Sequence, residues 1–98
     1  MPKLAVTATA TSQIRDAAAW WLEHRQAAPA LFLTELRRAF ELITTFPSAG
    51  ALTTNVEIPE VRRVLLPRSR YHVYYVPADE SVTVIAVWHT SRGEEPVT

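Results

Sequence analysis

Hydrophobic positions along this 98-residue chain change period twice, and each change marks an element. Residues 3–9 (KLAVTAT) alternate apolar and polar, the two-residue period of a half-buried strand. Over residues 13–25 the spacing widens. Ile14, Ala17, Ala18, Trp21 and Leu22 fall on one side of a helix that Thr11 or Ser12 can cap. A second helix is predicted to start near Pro29, since a residue without an N–H leaves nothing unpaired in a first turn, and Pro47 ends it. Its stripe of Phe32, Leu33, Leu36, Ala39, Phe40, Ile43 and Phe46 is wide enough to meet both the first helix and a sheet. The link at Gln26, Ala27 and Ala28 is short, so the pair forms an αα-hairpin.

Residues 47–59 show no period and read as a loop, of a length that in so small a domain usually carries function. Three runs rich in β-branched and aromatic residues follow at 60–66, 71–76 and 82–89. Only Pro67-Arg68-Ser69 and Pro77-Ala78-Asp79-Glu80 separate them, which predicts an antiparallel meander. The last run is apolar at nearly every position, as expected of a strand covered on both faces. Residues 93–98 read as a fraying tail. The expected fold is α+β in the order β-α-α-β-β-β: an N-terminal strand, an αα-hairpin and a three-stranded antiparallel meander, with the helices packed on one sheet. One domain spans residues 1–98.

Composition narrows the function classes. There is no cysteine, which excludes disulfides and thiolate metal sites and makes a reducing cytoplasm the default compartment. No apolar run approaches the roughly 18 residues needed to span a bilayer, so no membrane partner is expected. Net charge is zero, and bulk basicity therefore gives no argument for nucleic acid. The local distribution is lopsided. Arg62, Arg63, Arg68 and Arg70 lie between Val61 and His72 with no acid among them, while Asp79, Glu80, Glu94 and Glu95 fall in a turn and the tail. Nine of the ten cations are arginine, whose planar fork suits phosphate or carboxylate and cannot act as a base near neutral pH. Arg62 and Arg63 are neighbours on a strand and so point to opposite faces.

The chain resembles the RelE/ParE family of bacterial toxins. The likeness rests on Phe46-Pro47 at a helix end, Ala49-Gly50 in the loop, Val61-Arg62-Arg63 opening a strand, and the Tyr71, Val73, Tyr75 alternation. It closes on Val87-Trp88-His89-Thr90-Ser91-Arg92, an apolar-apolar-x-His-x-x-Arg ending, and covers residues 4–92. The resemblance implies a toxin neutralised by a cognate antitoxin in a hetero-oligomer, with no cofactor and no metal. RelE-like members cut mRNA on the ribosome, and ParE-like members inhibit DNA gyrase.

RNA cleavage asks for a base, an acid and cations around one phosphate. On the RelE-like alternative Arg63, His72, His89 and Arg92 would supply them. Thr90 stands where that branch carries a tyrosine, and Lys3 is the only lysine, so the set is incomplete. The long helical hairpin and the His89, Arg92 ending look more like the ParE branch. That branch makes Arg62, Arg63, Arg70, His89 and Arg92 the expected target-binding residues, and Trp20, Arg37 and Phe40 the expected antitoxin contacts. A second alternative is a degenerate, non-toxic antitoxin-binding protein. In every case a helix-in-groove or added-strand contact with the antitoxin is expected.

Overall fold

The computed structural model describes residues 2–53 and 60–92, the side chain of Arg92 excepted. The expected tail and residues 54–59 of the expected loop lie outside them. The elements are β1 (Lys3–Val6), α1 (Ala8–His24), α2 (Leu31–Thr45), β2 (Ala51–Leu52), β3 (Arg62–Leu65), β4 (Tyr71–Pro77), β5 (Ser81–His89) and a single 3-10 turn at Thr90–Arg92. They form an α+β fold with both helices on one face of a five-stranded sheet, in the order β1-β5-β4-β3-β2. The meander β3-β4-β5 is antiparallel throughout. β1 returns alongside β5 in parallel register, Leu4 opposite Val82. β5 is thus flanked on both edges, and its residues Val84, Ile85, Ala86 and Val87 are all buried, in keeping with its nearly unbroken apolar sequence.

Helix α1 begins five residues before the position that its hydrophobic spacing suggested. Thr7 is the cap: its backbone is extended (φ −67, ψ 162) and its hydroxyl accepts the Ala10 N–H at 3.1 Å. The Thr-Ala-Thr-Ala-Thr run has the two-residue period of a strand, yet it forms the first turns of α1, where Ala10 is fully buried. Thr7→Ala is expected to cost about 1 kcal/mol in urea unfolding, because one first-turn N–H loses its acceptor. Beyond Val6, α1 takes over the exposed edge of β5. Gln13 Oε1 accepts the Val87 N–H at 2.8 Å.

The main core lies between the layers, where Phe32, Ile43, Val73, Tyr75, Val82 and Val84 are almost completely buried. A smaller cluster of Val61, Tyr74, Ile85 and Ala86 lies on the opposite face of the sheet, with Trp88 packed against it. One irregularity divides the faces. Tyr74 pairs with Ala86 and Tyr75 with Val84, so Ile85 is an extra residue in β5. Val82 and Val84 face the helices before this bulge, and Val87 and His89 do so after it.

Candidate functional site

The turn between β3 and β4 is held from two sides. Glu35, on the buried stripe of α2, accepts the Arg68 N–H at 3.0 Å and the Ser69 N–H at 2.7 Å. Burial by itself pushes this carboxyl up. The donations from Ser69 and Arg68, with the nearby Arg68 charge, outweigh that and leave it below its ordinary value. From the other side Arg70 O accepts the Thr90 N–H at 2.9 Å, while Arg70 N donates to Leu66 O at 2.8 Å. Between these anchors Arg70 adopts a left-handed backbone, φ 67, a conformation usual for glycine and costly for a residue with a β-carbon.

The turn feeds the sheet face that the helices leave uncovered. Pleating and register place Arg63 of β3 opposite Tyr74 of β4, and His72 opposite Trp88 of β5, all on that face. Partial burial first, and then the Arg63 and Arg70 charges, hold His72 below the usual imidazole range, so the ring is neutral at pH 7. Its edge meets Tyr74, ring centroids 6.0 Å apart. Arg63, Arg70 and His72 therefore converge.

His89 does not join them. The bulge at Ile85 turns it to the helix side, where its ring packs edge-on to Tyr71 at 4.9 Å and its Nδ1 accepts the Ser91 N–H at 3.0 Å. There it lines a half-open cavity of about 520 Å³, with Asp16, Trp20, Arg25, Tyr71, Ser91 and part of Trp88 also in its walls. Trp20 stacks on His24 at 4.7 Å and lies under the Arg25 guanidinium at 5.4 Å. The expected antitoxin contact Trp20 and the expected target contact His89 thus share one cavity. Arg37 is exposed on α2, and Phe40 is half-buried against the main core.

Arg62 faces the other way from Arg63, as strand alternation requires. It is bound to its own chain: Nη1 donates to Gly50 O at 2.6 Å and Ser48 O at 3.3 Å. The same loop is clamped by Tyr75, whose hydroxyl donates to Pro47 O at 2.7 Å and accepts the Gly50 N–H at 2.8 Å. The side chain of Arg92 lies outside the described residues. One residue that shapes the site, Glu35, was not singled out by sequence, and Gly50 was named there only as part of the Ala49-Gly50 step. The available signal for Glu35 was a carboxylate set within the apolar stripe of Phe32, Leu36, Ala39 and Ile43. No group of three or more His, Cys, Asp or Glu side chains that could hold a metal occurs among the described residues. Nor is any helix there long and apolar enough to cross a membrane.

The layout of strand, helical hairpin and antiparallel meander in two layers is the one expected of RelE/ParE toxins. The family model for the ParE toxin of the type II toxin–antitoxin system parDE matches residues 4–93, and the chain belongs to that family. It is therefore the toxin component of a toxin–antitoxin pair, and a cognate antitoxin is its partner. In three dimensions it is similar to a solved chain of the chromosomal ParDE toxin–antitoxin system from P. aeruginosa. The TM-score is 0.70 at 13% identity, over 91% of this chain and 96% of that one. At that identity the likeness speaks for the fold alone. Among curated protein sequences there is no significant match.

Proposed function

We propose that this toxin arrests growth by binding DNA gyrase, without chemistry of its own. The observation that carries the proposal is the separation of His89 from Arg63, Arg70 and His72 by the thickness of the sheet. Cleavage of RNA needs an acid, a base and cations around one phosphate. Here one histidine of the sheet sits on each face, so no pair of imidazoles meets at one phosphate. That arrangement favours recognition over acid–base catalysis. Membership of the ParE toxin family supports the same target.

The test is a supercoiling assay with purified gyrase, run beside a translating-ribosome assay for new mRNA ends. Loss of supercoiling at a few-fold molar excess of toxin, with mRNA intact, is the expected result. Unimpeded supercoiling at excess toxin sinks the proposal, and new mRNA ends that vanish in His89→Ala would replace it with ribonuclease activity.

A further inference from the structure

A net charge of zero conceals a strong segregation. Residues 61–78 and 81–92, which hold β3, β4, β5 and the 3-10 turn, contain five arginines, two histidines and no acid. On the sheet face away from the helices Arg63 lies opposite Tyr74, the ring that His72 meets, Arg70 ends the adjoining turn, and Trp88 lies directly across from His72. We infer that this face binds single-stranded nucleic acid, with Arg63 and Arg70 holding phosphates and the half-buried rings of His72 and Trp88 meeting a base.

Three features point to this ligand. A guanidinium fork matches the oxygens of a phosphate, and two of them beside a ring pair repeat the combination by which single strands are held without sequence readout. In a duplex the bases are stacked inside, out of reach of half-buried rings on a sheet face. An acidic peptide would satisfy the arginines but has no use for the rings. The third feature is the backbone at Arg70. Its left-handed conformation is the one a glycine fills without strain, and it is fastened by Leu66 O, by Thr90 N and, through its neighbours, by Glu35. Strain of this kind persists where the surrounding structure imposes it and the side chain has a use. Glycine would fit the backbone better, and only arginine supplies the charge.

The inference is independent of gyrase, and its test contains none. Fluorescence anisotropy of the full chain with a labelled strand of about twelve nucleotides, as DNA and as RNA, measures it directly. With about two phosphates neutralised, by Arg63 and Arg70, the slope of log affinity on log salt is expected near −1.4, a loss of roughly sevenfold from 50 to 200 mM salt. Arg70→Gly is expected to weaken binding roughly fivefold and to make the slope shallower by about 0.7. The thermal midpoint of that variant should hold or rise, because its backbone is relieved. Trp88→Leu should weaken binding about tenfold with the slope unchanged. Undiminished binding by Arg70→Gly overturns the inference, and so does a fall in its thermal midpoint alongside the lost affinity, which would make Arg70 a residue of the fold. A glutamate-rich peptide or the matching duplex binding as tightly as the single strand also overturns it, and the peptide result would assign the face to an acidic protein segment.

Discussion

Glu35→Ala is expected to lower the unfolding free energy by roughly 2–4 kcal/mol, a large part of the 5–15 kcal/mol that a domain commonly has. The carboxylate accepts two N–H groups, from Arg68 and Ser69, and it is 6% exposed. Hydrogen bonds to a charged acceptor contribute about 1.5–3 kcal/mol each. The Arg68 N–H, on an exposed residue, can recover water, whereas Ser69 is buried and its N–H cannot. Glu35→Gln keeps one acceptor oxygen and should cost about half as much. The variants also differ in pH dependence. In the folded chain the carboxyl sits below its ordinary value of 4.5, so on acidification the unfolded chain takes up the proton first. The contribution of Glu35 is therefore complete above the ordinary value and is lost as the pH falls through the lower, folded one. Urea midpoints measured from neutral pH downward should fall more steeply for the wild-type chain than for Glu35→Gln. Parallel curves would show that the carboxylate charge contributes nothing at the turn.

The same residue shows what could be read from the chain and what could not. The helices were legible because two stripes repeat at helical spacing, and the meander because turn residues punctuate three β-branched runs. The pairing of β1 with β5 was hidden, because a parallel partner lies across the whole helical hairpin and local period carries no trace of it. β2 has two residues, too few for any period. Opposite faces for Arg62 and Arg63 followed from alternation, and the fold has them so. For His89 alternation is no guide. Counting in twos from the helix-facing Val82 puts Trp88 inward and His89 outward beside Arg63, on one working surface. The extra residue at Ile85 reverses the parity of everything after it, so Trp88 takes the outer place and His89 the inner. A bulge is a property of the paired strands, and the sequence of β5 does not mark it.

Substitution of Gly50 should be the most damaging single change in the loop after α2. A β-carbon there would lie 2.7 Å from Tyr75 Oη, 2.8 Å from Tyr75 Cε1 and 2.8 Å from Arg63 O. The last is backbone of the central hairpin, and Tyr75 is completely buried, so neither neighbour can give way cheaply. The loop must move instead. In moving it releases the Gly50 N–H from Tyr75 and the Gly50 carbonyl from Arg62. Burial raises the Tyr75 hydroxyl above its usual range, more than the Gly50 N–H and Arg62 lower it, so the phenol stays protonated and donates to Pro47 O. Gly50→Ala is accordingly expected to cost about 2–4 kcal/mol, from overpacking and lost hydrogen bonds together. Tyr75→Phe, which deletes both hydroxyl bonds without adding bulk, should cost roughly 1–3 kcal/mol. Because the two changes abolish the same bonds and Phe removes one of the clashing atoms, the double variant should fall short of the sum by at least about 0.5 kcal/mol in urea unfolding. Strict additivity would mean that the glycine is needed for its contact with Arg63 O alone.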